Sequence, residues 1–246
     1  MAHKEREAAI LDYLHTHREA SVGELCRALY VSEPTVRRDL AELNAAGKII
    51  RTHGGAAYRS ELGENLPLSW REREHSDAKT AIGKKCLSLI REGDTVMVDS
   101  SSSALALLRV LDSGSSIVVV TNSAKAALIL AETKIKTFVT GGELAADTYA
   151  YVGSHAESFI RRFNADLCFF SVRTLTSDGR LTDNAIAENG VRRAMLASSR
   201  RRILMLGSQK VGEGCLETLC HLKDIDYVVS ERDLSPAFPD FKEKFL

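Results

Sequence analysis

The sequence predicts an α/β protein in two parts: a small helical head that ends in a basic β-hairpin, and a larger body built on a mostly parallel sheet. Three observations predict it. Residues 1–58 hold three helix-patterned segments with a tight turn before the third. From Asp77 onward, short and continuously apolar strands alternate with amphipathic helices, the pattern of a sheet buried on both faces. Between them, residues 59–76 are polar, hold a glycine and a proline, and lack apolar periodicity at their start, so they read as a linker. The expected division is 1–58, a linker 59–76, and a body 77–246.

In the head, Glu5 to His17 places Ala9, Ile10, Tyr13 and Leu14 in helical register, and Val22 to Tyr30 begins after Ser21. The third helix starts at Ser32, an N-cap whose hydroxyl is expected to accept from first-turn N–H groups, with Pro34 fitting that turn. Val36, Leu40 and Leu43 share one face, so Thr35, Arg37, Arg38 and Asp39 are expected largely off it. Gly47 is expected to close the helix in the left-handed conformation, and residues 49–55 read as a strand running into a turn. Three helices followed by a basic strand pair predict a winged helix-turn-helix, whose third helix enters the DNA major groove. From Ser32 to Arg59 there are five basic residues (Arg37, Arg38, Lys48, Arg51, Arg59) against three acidic ones. That excess is what phosphate contacts require, and guanidinium forks pair with phosphate or guanine. A merely solvated helix face would carry the same arginines; the order of cap, helix, glycine and hairpin favours DNA. Asp39 repels phosphate and is expected to orient a neighbouring arginine.

The chain has 246 residues, with 33 basic and 33 acidic side chains and no net charge. A DNA binder of this composition must concentrate its positive charge locally. Five cysteines, an odd number without zinc spacing, predict thiols in a reducing cytoplasm, no disulfide framework and no metal. No apolar run approaches the roughly 20 residues that span a bilayer, so no membrane association is expected.

In the body, helices are expected at 78–91, 103–111, 124–132, 155–162 and 185–199, and strands at 95–99, 117–121, 137–140, 167–171, 203–206 and 227–229. The linker is expected to hold a short helix around Trp70, which is expected either to pin it or to serve as a partly buried anchor. Ligands of open parallel sheets bind beyond the carboxyl ends of the strands. Those ends carry Asp99, Ser100, Ser101, Ser102 and Ser103; Thr121 and Asn122; Gly141 and Gly142; Arg173; and Lys210. Serines leading into a helix suit an anion, and glycines allow close approach. Each feature alone is an ordinary cap, turn or surface lysine; together they predict a site for a polyhydroxylated, phosphorylated small molecule. Asp99 is expected to accept from sugar hydroxyls or from Lys210.

Residues 31–56, VSEPTVRRDLAELNAAGKIIRTHGGA, resemble the N-terminal signature of the DeoR family of bacterial transcriptional regulators, at Ser32, Thr35, Val36, Arg37 to Leu40, Leu43, Gly47, Arg51 and His53 to Ala56. The resemblance adds Ser32, Thr35 and His53 to Arg37, Arg38, Lys48 and Arg51 as expected DNA contacts. It extends to about Ser230 through Asp99 to Ser103, Thr121-Asn122, Gly141-Gly142, Gly153, Asp178-Gly179, Thr182-Asp183, Glu188 and Lys210. It implies a C-terminal domain that resembles ribose-5-phosphate isomerase in fold and senses a phosphorylated sugar. Gly207 stands where the family usually has aspartate, Thr174 where glycine is common, and residues 234–246 lack the usual closing strand.

The reading that follows is a cytoplasmic, non-enzymatic regulator, a repressor of sugar-metabolism genes by default. It is expected to bind a double-stranded operator as a homodimer or homotetramer, with no cofactor. Two alternatives remain at this level. One is a phosphosugar isomerase using Asp99, Glu188 and Lys210; the other is an interaction module with a non-functional pocket.

Overall fold

The computed structural model describes residues 3–17, 19–46, 48–58 and 68–246, with the side chains of all of these except His15 and Trp70. Gly47, Arg59, the first half of the expected linker and the Trp70 side chain therefore lie outside the described residues. The chain forms two compact units, Met1–Glu64 and Asn65–Leu246.

The first unit runs α1 (His3–His17), β1 (Glu19–Ser21), α2 (Val22–Leu29), α3 (Glu33–Ala45), β2 (Ile49–Arg51) and β3 (Gly55–Tyr58). The three strands form one antiparallel sheet in the order β1-β3-β2. Strand β1 was not expected, because three residues next to a helix carry no readable period. A Cβ on Gly55 would lie 2.0 Å from the Ala20 carbonyl oxygen, so glycine is what lets β3 pair with β1. The core is Ile10, Leu14, Leu25, Val36, Leu40, Leu43 and Ile49. Helix α2 opens on a capping box: the Glu24 N–H donates to Ser21 Oγ at 3.2 Å and the Ser21 N–H to Glu24 Oε2 at 2.7 Å.

Two expectations for α3 are corrected. Ser32 occupies the N-cap, but its hydroxyl lies 2.9 Å from Thr35 Oγ1 and makes no capping bond to backbone. Asp39 is fully buried, not on the outer face, and its partner is Arg6 of α1, with Arg6 Nη2 donating to Asp39 Oδ1 at 2.8 Å. Desolvation of a lone carboxylate would be prohibitive; the guanidinium fork makes it tolerable.

The second unit contains α4 (Leu68–Arg73), α5 (Ser76–Leu87), β4 (Thr95–Val98), α6 (Ser102–Val110), β5 (Val118–Thr121), α7 (Ala124–Ala131), β6 (Lys136–Val139), β7 (Glu143–Ala145), β8 (Ala150–Val152), α8 (Gly153–Ile160), β9 (Ala165–Phe170), β10 (Thr174–Leu175), β11 (Arg180–Asp183), α9 (Ile186–Ala197), β12 (Ser199–Met205), β13 (Glu217–His221) and β14 (Tyr227–Val229). Six strands form a parallel sheet in the order β14-β12-β9-β4-β5-β6. Side chains alternate across it. Val96, Val98, Leu167, Phe169, Ile203 and Met205 face the helices α5, α6 and α7, while Met97, Cys168, Phe170 and Leu204 face α8 and α9. Both faces are buried, which is why the strands read as unbroken apolar runs. A smaller antiparallel sheet, β10-β11-β13, and the hairpin β7-β8 complete the unit. The tail returns: Phe238 stacks on Phe245 at 5.5 Å and the Leu246 N–H donates to the Val228 carbonyl at 3.0 Å, so turns rather than a strand flank β14.

The expected linker is shorter than the sequence suggested. Leu68 is fully buried in the body's core, and Glu72 pairs with Arg109 and Lys125, so α4 belongs to the body.

Removing Arg6 leaves Asp39 buried without its fork. Arg6→Ala is expected to lower the head's melting temperature by several degrees, read by circular dichroism. The Arg6 hydrogen bond holds the Asp39 carboxyl below its ordinary 3.8, so this contribution is present above that pH and is lost as pH falls below it. The wild-type advantage should shrink on acidification; an advantage that grew would contradict the pairing.

Candidate functional site

In the head, α3 and the wing expose the polar residues singled out from sequence. Ser32, Arg37, Arg38, Lys48 and His53 are exposed, and Thr35 and Arg51 are half-buried. Arg37 is held by Glu33 one turn earlier, with Nε and Nη2 2.8 and 2.6 Å from Oε1. Both side chains are more than half exposed, so the pair is weak and can open toward a phosphate. Arg51 is fixed at the backbone, its N–H donating to Asn44 Oδ1 at 3.1 Å, so the end of α3 positions the wing.

In the body, the carboxyl ends of β4, β9 and β12 open into a cavity of about 300 Å³. Of the residues expected there, Ser101, Ser102, Arg173 and Lys210 line it. Ser101 is also an ordinary N-cap, its Oγ accepting from the Ala104 N–H at 3.1 Å. Lys210 is half-buried; its Nζ donates to Ser171 Oγ at 2.9 Å and to the Val172 carbonyl at 2.7 Å. Burial, then the charges of Lys79 and Arg71, push the Lys210 amine down to about 7.

Other expected residues lie elsewhere. Asp99 sits beneath the lining, its Oδ1 accepting from the Ser101 N–H at 3.1 Å and its Oδ2 from Arg192 Nε at 3.0 Å and the Ser171 N–H at 3.3 Å. Its cation is therefore Arg192, not Lys210. The buried Ser100 hydroxyl donates to Glu188 Oε2 at 3.2 Å, and Ser103 is buried in α6.

Thr121, Asn122, Gly141 and Gly142 do not line the cavity, because the hairpin β7-β8 covers that end of the sheet. Asn122 is taken up by Tyr151: its Nδ2 donates to the Tyr151 carbonyl at 3.1 Å, and its own carbonyl accepts the Tyr151 N–H at 2.7 Å. Thr121 Oγ1 accepts from the Ser123 N–H at 3.0 Å. Gly141 and Gly142 have φ of 62° and 110°, and a Cβ on Gly142 would stand 2.9 Å from the Val152 carbonyl oxygen. They turn the chain into the hairpin.

Sequence reasoning missed the cavity wall made by α4 and α5: Arg71, Glu74, His75 and Lys79. The Lys79 ammonium is buried and donates to the Arg71 and Glu74 carbonyls; burial pushes it down to about 8. Burial also lowers the Arg71 guanidinium. The helix from residue 78 was legible from its apolar spacing, but nothing in the sequence aims Arg71, Glu74, His75 or Lys79 at the strand ends. Asp183 and Arg192 were missed as lining residues too. Arg192 is 3 % exposed and donates to Asp99, to Asp183 Oδ2 at 3.2 Å, to Glu188 Oε2 at 3.2 Å and to Asn189 Oδ1 at 2.9 Å. Burial lowers its basicity, but the three carboxylates outweigh that and raise it above the ordinary arginine value. Of the two single-residue departures from the family pattern, Thr174 lines the cavity, with Oγ1 3.4 Å from Cys215 Sγ, whereas Gly207 does not line it.

The arrangement can bind an anion. Three cationic side chains, Arg71, Lys79 and Lys210, meet the N-terminal turn of α6, where backbone N–H groups and the helix dipole also favour negative charge. The nearby hydroxyls of Ser102, Ser171 and Thr174 suit a polyol.

Comparison with known proteins bears on both units. The DeoR C terminal sensor domain matches residues 74–232, and the DeoR-like helix-turn-helix domain matches residues 6–61. The chain is similar to the HTH-type transcriptional regulator GlpR of Haloferax volcanii, with 30 % identity over 94 % of this chain and 90 % of that one. It is similar to the HTH-type transcriptional repressor GlcR of Bacillus subtilis, 29 % identical over 99 % and 94 %, and to the L-fucose operon activator of Escherichia coli, 30 % identical over 92 % and 94 %. Among solved structures, a D-ribose-5-phosphate isomerase in complex with phospho-erythronic acid overlaps 56 % of this chain and 54 % of its own at 14 % identity, with a TM-score of 0.43. Among the described residues, no helix is long and apolar enough to cross a membrane.

Arg192→Ala is expected to destabilise the body by about 3–5 kcal/mol, since it strands three buried carboxylates beside one another. Urea unfolding followed by circular dichroism checks this; a change within about 0.5 kcal/mol, the range of ordinary surface substitutions, would contradict it.

Proposed function

We propose that this chain, which belongs to the DeoR family of DNA-binding transcriptional regulators, represses genes of sugar metabolism and releases its operator when a phosphorylated sugar enters the cavity of the body. The observation that carries this reading is the meeting of Arg71, Lys79 and Lys210 at the α6 N-terminus. The two ammonium groups bond backbone carbonyls and a hydroxyl rather than carboxylates, and their proton affinities are depressed. Burial is the main cause of that depression, and a phosphate dianion beside the ammonium groups offsets it. Ser102, Ser171 and Thr174 then take the sugar hydroxyls.

The names of relatives support a sugar link: one is an L-fucose operon activator. Repressors are also among them, GlcR and AccR. In the head, α3 reads the major groove, with Arg38, Lys48 and Arg51 toward phosphates and Ser32, Thr35, Arg37 and His53 at the helix start and wing tip. Reading two half-sites requires at least a dimer, and a protein that reads an operator works in the compartment that holds the DNA. Coupling runs through α4 and α5, which carry Arg71 and Lys79 and come after the wing in the chain.

Two outcomes test the reading. Pentose and hexose monophosphates should raise the melting temperature without turnover, while the same sugars lacking phosphate should not. Because Lys210 and Lys79 lie at about 7 and 8 before binding and gain protons beside the dianion, stabilisation should be largest near pH 7 and fall toward pH 9. Lys210→Ala should cut ligand affinity by about tenfold or more and leave DNA binding intact. A response that strengthened with rising pH would exclude the ammonium groups as the phosphate site. Arg38→Ala should weaken operator binding and flatten its salt dependence by about one ion, measured by fluorescence anisotropy across salt concentrations. An unchanged slope would remove Arg38 from the phosphate contacts.

A further inference from the structure

The turn between α2 and α3 holds a residue whose backbone the fold uses and whose side chain it does not: the Tyr30 N–H closes α2 on the Cys26 carbonyl. Tyr30 ends α2 in the left-handed backbone region, at φ 54° and ψ 43°. There a Cβ crowds the following carbonyl, and glycine alone sits without cost. Its side chain contributes nothing to the head's core: at 94 % exposure it is the most exposed large hydrophobic residue among those described. A strained backbone carrying a solvated aromatic ring is unfavourable on both counts within the chain. Such an outlier points to a role outside it.

The position says what that role is. Tyr30 precedes the α3 N-cap, Ser32, by two residues, which an extended chain spans in about 7 Å. Ser32 at the N-cap and Arg38 in the second turn of α3 are both exposed. When such a helix enters the major groove, the chain leading into it runs beside the sugar-phosphate backbone. We propose that the Tyr30 hydroxyl donates a hydrogen bond to a backbone phosphate at the edge of the groove that α3 enters. This rests on the DNA-reading role given to α3 above. A phenol is neutral at pH 7, so the contact adds affinity without displacing a counterion. That separates it from the arginine contacts, each of which does displace one.

The test uses the full chain and the tightest duplex that the wild-type chain selects from a random pool. Tyr30→Gly and Tyr30→Phe are titrated against it by fluorescence anisotropy over a range of salt concentrations. Glycine relaxes the left-handed turn while loosening the unfolded chain, so Tyr30→Gly should melt within about 3 °C of wild type or above it. Both variants should bind about tenfold more weakly, with the salt slope of wild type, because a hydrogen bond to a charged oxygen is lost and no cation is. Wild-type affinity in Tyr30→Phe overturns the hydroxyl contact, and wild-type affinity in Tyr30→Gly overturns any contact by this residue. A wild-type chain that selects no duplex overturns the reading of α3 itself, which is a different failure.

Discussion

The body of this protein depends on one guanidinium. Arg192 on α9 reaches Asp99 beyond β4, Asp183 at the end of β11 and Glu188 one turn back on its own helix, all nearly out of water. Three carboxylates cannot share such a space unless a cation sits among them, and a cation cannot sit there without them. The mutual need ties the parallel sheet, the small antiparallel sheet and α9 to one point. Asp99 turns its remaining capacity to the Ser101 and Ser171 N–H groups, so the loops after β4 and β9 are held by the same cluster. The floor of the cavity is thus set by charge pairing, and its walls are hung from it.

Because Arg192 is matched by acids, it is a structural cation more than a ligand-seeking one. Lys79 and Lys210 are different. Their protons are held by backbone carbonyls and a serine hydroxyl, which satisfy hydrogen bonds without neutralising charge. Burial first, and then the neighbouring cations, lower the basicity of both ammonium groups: Lys79 and Arg71 act on Lys210, and Arg71 acts on Lys79. Outside the cavity, Glu72 pairs with both Arg109 and Lys125. Lys79 and Lys210 differ from these cations in that their hydrogen bonds run to carbonyls and a hydroxyl.

Much of this was legible in the residues, and what was not has physical causes. The parallel strands announced themselves because both faces are buried, so Val96, Met97 and Val98 read as one apolar run although alternate side chains enter different cores. The winged head was legible from its caps and spacing. Strands β7, β8, β10, β11 and β13 were not, because they are short and polar and gain their stability from packing over the larger sheet. Missing the β7-β8 hairpin had a consequence: Asn122 and the Gly141-Gly142 pair looked like ligand contacts, when they fasten and turn the hairpin that covers their strand ends. Asp39 was misplaced because helical period treats charge as outward, and nothing near it in sequence shows that Arg6 waits across the core. The part of the cavity wall from Arg71 to His75 was read as linker for a related reason. Polar lining residues and polar linker residues look alike until packing distinguishes them.

A ligand alters DNA binding only as far as it prefers one arrangement of the protein to another. The seating of α4 is where such a preference can arise. The helix has six residues, too few to be stable alone, and is held from three sides: Leu68 in the core, the Leu68 N–H on the Asp147 carbonyl at 2.9 Å, and Glu72 on α6 and α7. Its Arg71 carbonyl also accepts from the Lys79 ammonium, and that bond belongs to the charged cavity. A phosphate that draws Lys79 toward itself competes with the Arg71 carbonyl for the same protons. The competition needs no large motion. It changes the balance at α4, the helix that Leu68 and Glu72 seat on the body.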